Sequence, residues 1–173
     1  MYLRSGLFAF WASCALAPLA AAQPTPLAAP HVRAVSPRLA DSVAALRDHS
    51  PTFAALLTKL DASDVIVHLT DALEPCASGS KACLTFVEST GGYRYLRVMV
   101  TKRESEMDVR RHLAHELQHA VEIADAPQVR DAAGLRAFCL SSGFGWRTAD
   151  HCETHEAQAV AFRVEHELDQ RLR

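Results

Sequence analysis

The order of apolar and polar positions divides the chain into stretches of helical and of strand period. Ser36-Pro37 opens a helix with a cap residue, proline at the first helical position, and Leu39, Val43, Ala44 and Leu46 on one face. Ser50-Pro51 repeats the device ahead of Phe53, Leu56, Leu57 and Leu60. The β-branched run from Asp64 to Leu69 predicts a strand. Two more strands, Cys83–Val87 and Tyr93–Val100, flank Gly91-Gly92 as a hairpin. Helical spacing returns over about 105–124, over a shorter stretch near Val129–Leu140, and from about Cys152 to Leu172, after a glycine-rich loop at 141–146. Helices, a small antiparallel sheet, then helices predict an α+β fold in one domain over 36–173. Length supports this, because 173 residues of which 49% are hydrophobic suit one domain with a proper core.

The N-terminus does not belong to that core. Residues 1–22 carry Arg4, an apolar run from Gly6, and Ala20-Ala21-Ala22 before Gln23, which is the layout of a secretory signal peptide. Pro18 and the shortness of the run argue against a membrane anchor. Trp11 is unsuited to a lipoprotein signal ending at Cys14. Residues 23–35, with Pro24, Pro26 and Pro30 among alanines, read as a linker. Export to a bacterial periplasm or the medium follows as the expectation. The cysteines agree with it. Cys14 leaves with the leader, and Cys76, Cys83, Cys139 and Cys152 remain as an even set. Short loops favour the pairs Cys76–Cys83 and Cys139–Cys152. The formal charge of −2, with no basic stripe, excludes nucleic acid as an expected partner. The 15 arginines against 3 lysines, with no asparagine, suggest a GC-rich bacterial genome and leave no N-glycosylation sequon.

Candidate chemistry lies in the helix over 105–124. His115-Glu116-Leu117-Gln118-His119 places two imidazoles one turn apart on one face, where both reach a single Zn²⁺. Glu116 lies beside them as a general base for water acidified by the metal. Val109, Leu113, Leu117 and Ala120 share the opposite face, so the helix anchors itself with one side and presents the motif with the other. The bland alternative is a solvated helix face that happens to carry histidines.

A catalytic zinc needs a third protein ligand. Positions 122 and 125 are Glu122 and Asp125, which excludes the extended metzincin pattern of glycine and histidine there. The C-terminal helix offers Glu153 and Glu156. Its apolar face is Ala157, Val160, Ala161, Val164 and Leu168, and Glu153 falls within that arc while Glu156 points about 100° away from its centre. Glu153 is therefore the expected ligand, against the plainer reading of an acid favoured by the helix dipole.

With His115-Glu116-Leu117-Gln118-His119 within Leu113–Glu122, and Cys152-Glu153-Thr154-His155-Glu156-Ala157 downstream, the chain resembles gluzincins, metallopeptidases with H-E-x-x-H on one helix and a glutamate ligand on a later one. Ser50-Pro51-Thr52-Phe53 and Asp64-Val65-Ile66-Val67 extend the similarity to the small secreted bacterial members. The resemblance implies a zincin-like fold, a bound zinc, peptide or protein substrates, and a sheet edge that accepts extended peptide. The expected activity is hydrolysis of peptide bonds, with His115, His119 and Glu153 on the metal and Glu116 as base. A non-catalytic zinc-binding or partner-binding domain on the same scaffold is the alternative, and it would not need Glu116.

Other residues carry less. Glu122 falls near His115 on the helical wheel and could hold a ligand imidazole. His151 and His155 flank the expected ligand as oxyanion candidates. His112 reads as a neighbour of the motif, and Tyr93 and Tyr95 as packing residues. His166-Glu167-Leu168 starts a second motif that Gln170 breaks.

Overall fold

The structure, a computed structural model, describes residues 29–142 and 152–171. The expected leader, residues 23–28 of the expected linker, the end of the glycine-rich loop and His151 lie outside these residues. The elements run β1 (Val32–Ala34), α1 (Pro37–His49), α2 (Pro51–Asp61), β2 (Val65–Ala72), β3 (Ala82–Thr90), β4 (Tyr93–Thr101), α3 (Glu106–Ala124), α4 (Ala132–Ser142) and α5 (His155–Arg171). This is an α+β architecture. No helix among the described residues is long and apolar enough to cross a membrane.

The two Ser-Pro devices work as the sequence suggests. Ser36 Oγ accepts from the Leu39 amide and Ser50 Oγ from the Phe53 amide, each supplying one of the partners that a helix start lacks. Gly91 and Gly92 close the β3–β4 hairpin at φ of 59° and 84°, where a Cβ would be strained.

The sheet is mixed, which corrects the antiparallel expectation. Its order is β1-β2-β4-β3, with β1 and β4 parallel to β2 and only β3 antiparallel to β4. Burial explains the insertion of β4 beside β2. Leu96, Val98 and Val100 are fully buried, whereas β3 grows exposed along its second half and suits an edge. β1 is a second correction, because it lies in the segment read as linker. Val32 and Ala34 pair with Val67 and Leu69, and a three-residue parallel strand between prolines leaves little periodicity to read.

Helix α3 packs on β2, β3 and β4 with one side and on α5 with the other, and it also meets α1 and α2. Val109, Leu113, Leu117 and Ala120 are buried as expected, and so are Glu116, Gln118 and His119 opposite them. The motif face is thus covered by α5 rather than solvated. Two ties fix this layering. Arg94, buried on β4, donates to the carbonyls of Ile123, Ala124 and Ala126 at the C-terminus of α3 and pairs with Asp64. Glu167 of α5 accepts from the Ser50 hydroxyl, the Thr52 amide and the Thr52 hydroxyl at the start of α2. Disulfides join Cys76 to Cys83 and Cys139 to Cys152, consistent with an oxidising compartment.

Candidate metal centre and the cavity beside it

His115 and His119 project from the middle of α3, one helical turn apart, and their Nε2 atoms stand 3.1 Å from each other. Glu153 Oε1 lies 3.5 Å from His115 Nε2. Ligand atoms of His115, His119 and Glu153 all fall within 4.8 Å of one another, a group that could hold a metal ion. The spacing can be checked against coordination geometry. Two nitrogens on a tetrahedral zinc, each at about 2.0–2.1 Å, stand roughly 3.3 Å apart. The donors fit with little movement. Two imidazoles and one carboxylate are also a donor set that suits zinc among divalent ions.

The sequence placed Glu153 on the C-terminal helix, and that is corrected. Helix α5 begins at His155, with Thr154 as its cap, so Glu153 precedes it on extended chain. Helical phase therefore does not orient Glu153. Its position follows from the turn into α5, held by the Cys139–Cys152 disulfide on one side and Thr154 on the other. Glu156 is exposed and pairs with Arg163, away from the histidines. The apolar face named for α5 is buried as expected.

Glu122 binds His119, not His115, with Oε2 2.9 Å from Nδ1. The wheel angle misled because it ignores height. Residues 115 and 122 are about 10.5 Å apart along the axis, whereas 119 and 122 are about 4.5 Å apart. The contact sets the tautomer. Nδ1–H donates to the carboxylate, and the Nε2 lone pair faces His115 and Glu153. The other Glu122 oxygen accepts from the Thr154 hydroxyl at 2.7 Å, and that hydroxyl also accepts from the Ala157 amide at 3.1 Å. One side chain thereby ties a ligand on α3 to the residue after Glu153. Thr154 escaped the sequence reading because the helix was started at Cys152; its signal was a threonine just ahead of the apolar run.

Electrostatics around these groups favour a cation. Burial pushes the Glu116 carboxyl up to about 7, although the charge of His119 opposes this and Glu153 adds to it. Burial also works against charge on the His119 ring, but the carboxylates of Glu122, Glu116 and Glu153 outweigh it and raise the pKa above its ordinary value. Burial likewise opposes charge on Glu122, and its hydrogen bond to His119 more than reverses that, holding the carboxyl below its usual range. Three carboxylates around two imidazoles are costly to bury without positive charge among them. Glu116 is only 8% exposed and His119 only 2%. A solvated helix face is therefore the wrong description of the motif.

The centre opens on a cavity of about 440 Å³. His115, Glu116 and Glu153 line it, together with Ala82, Cys83 and Leu84 of β3. The Leu84 backbone hydrogen-bonds to Glu116, so β3 and this carboxyl are in direct contact. Gln158, Ala161 and Phe162 of α5 and Arg111 and His112 of α3 complete the lining named here. His155 is exposed at the first turn of α5, and Tyr95 packs edge-on against His68. No known protein family, no curated protein and no solved structure matches the chain.

Proposed function

We propose that the protein is a zinc-dependent peptidase in which His115, His119 and Glu153 hold the metal and Glu116 is the general base. One observation carries the reading. A buried carboxyl that the three-residue group does not need, Glu116, lies beside that group and lines the same cavity of about 440 Å³. Zinc bound there would supply Lewis-acid chemistry, acidifying water and polarising a carbonyl.

The remaining steps belong to the chain. Glu116 takes a proton from the attacking water at a carboxylate oxygen and returns it to the leaving nitrogen as the C–N bond breaks. Its burial beside the centre suits both tasks, because few waters compete with the substrate for the proton. Glu122 keeps His119 in the tautomer whose Nε2 can act as a ligand. β3 is an edge strand of the sheet and lines the cavity, a position that supports its holding an extended peptide. The two disulfides, together with the leader expected over residues 1–22, support an activity outside the cytoplasm, in the periplasm or the medium.

Ligand substitution tests the metal centre. His115→Ala, His119→Ala and Glu153→Ala should each lower zinc stoichiometry, whereas Glu156→Ala should keep it. Loss of zinc in Glu156→Ala with retention in Glu153→Ala would reverse the assignment of the third ligand.

A further inference from the structure

Away from the metal group, the cavity walls are one-sided in charge. Lys81 and Arg111 line it, and the only carboxylates in the lining, among the described residues, are Glu116 and Glu153 of the centre itself. The two cations do have acidic neighbours, but these stand outside the lining. Lys81 Nζ is 3.5 Å from Glu104, and Arg111 Nη2 is 3.7 Å from Asp108. Both contacts are longer than a good hydrogen bond, and both cations are about half exposed. Each therefore keeps donors for an incoming acceptor. At His112 the charge of Arg111 adds to burial in lowering the pKa, while Glu104 and Asp108 oppose it and Lys81 contributes least. Leu84, Ala161 and Phe162 supply apolar lining in the same cavity, and Phe162 is unusually exposed for its size.

This combination recognises one chemistry. An apolar stem ending in a negative charge buries its carbon atoms against Leu84 and Phe162 and places its oxygens among the donors of Arg111 and Lys81. A basic group there would meet two like charges, whose acidic neighbours Glu104 and Asp108 stand outside the lining. We propose that the cavity selects substrates by a carboxylate near the scissile bond, received by Arg111 and Lys81 while the stem packs on Leu84, Ala161 and Phe162. The inference rests on the peptidase reading of the same site. The carboxylate comes either from an acidic side chain or from the free end of the peptide.

The test uses zinc-loaded protein and acetylated alanine hexapeptide amides carrying a single Glu, Gln or Lys at each position in turn, with the all-alanine peptide as free acid and as amide. Wild type should cleave the best Glu peptide with kcat/KM about tenfold or more above its Gln counterpart, the worth of one charge-assisted hydrogen bond. Preference for the free acid over the amide of the all-alanine peptide would assign the carboxylate to the chain end instead. Arg111→Glu should invert the order and favour Lys, a gain that a misfolded protein could not show. Calorimetric binding of the same peptides to the Glu116→Gln protein, with and without Arg111→Glu, separates the two ideas. Cleavage with no charge preference overturns the carboxylate proposal and leaves the peptidase reading standing. No cleavage, with tighter binding of acidic peptides that Arg111→Glu reverses, overturns the peptidase reading and supports carboxylate selection. Neither cleavage nor selective binding overturns the proposal.

Discussion

Replacing Arg94 should be the most damaging single change outside the metal centre. Its guanidinium is buried, with Nη1 2.6 Å from the Ile123 carbonyl and 2.9 Å from that of Ala126, Nη2 3.2 Å from that of Ala124, and Nε 3.1 Å from each oxygen of Asp64. Arg94→Met keeps much of the volume and removes every donor. The Ala124 carbonyl then loses this donor, and those of Ile123 and Ala126 keep the backbone amides of Ala126 and Val129, at about 1–3 kcal/mol for each one left dry. Asp64 loses less, because it is about a third exposed and keeps Arg130 at 3.0 Å. Allowing for water entering from the Asp64 side, the loss should be about 3–5 kcal/mol, as for other broken buried pairs. That is a large part of the roughly 5–15 kcal/mol that holds a domain folded. Arg94→Lys should still lose about 2–3 kcal/mol, because an ammonium has no planar fork to span the carbonyls and the carboxylate together. Urea unfolding followed by circular dichroism measures both, with the disulfides intact. A loss below about 1 kcal/mol in Arg94→Met at unchanged m-value would refute the clamp.

Further outcomes follow from other contacts. Glu122→Ala should weaken zinc binding about 10–100-fold in chelator competition, because the His119 ring loses the acceptor that fixes it; affinity within twofold of wild type would contradict this. Asp64 titrates below its ordinary 3.8, chiefly through its hydrogen bond to Arg94, so the stability it contributes is full above about pH 4 and is lost as pH falls through the lower folded-state value. The stability gap between wild type and Asp64→Asn should accordingly narrow from pH 5 to pH 3, and a constant gap would contradict the pairing. Removing Cys139–Cys152 by double Ser substitution should cost up to about 3 kcal/mol from loop entropy, read in the same urea assay. An unchanged midpoint would show the bridge to be idle.

Local signals in the chain were read well where they concern neighbours in sequence. Ser36, Ser50 and Gly91-Gly92 each act through residues within one turn, so caps, helices and hairpin were legible from the residues alone. The pair His115 and His119 was legible for the same reason, since one helix fixes their spacing. Errors arose where a long-range contact decides. β4 rather than β3 pairs with β2 because of what the core buries, and no local pattern records that choice. Glu153 was named through a helical phase it does not have, and only the fold of the chain before α5 brings it near His115. Arg94 was not singled out at all. A lone arginine in a strand gives no hint that it reaches the end of a helix about thirty residues later.

Glu116 is where the peptidase account and a purely metal-binding domain part company. Glu116→Gln changes charge and proton affinity with little change of shape, so the protein should bind zinc as wild type does. Zinc stoichiometry and peptide-library hydrolysis should be measured on the same preparations of both proteins. The account predicts equal zinc in the two and turnover in wild type alone. A Glu116→Gln protein that cleaves at the wild-type rate, or a zinc-loaded wild type that cleaves nothing, would contradict it.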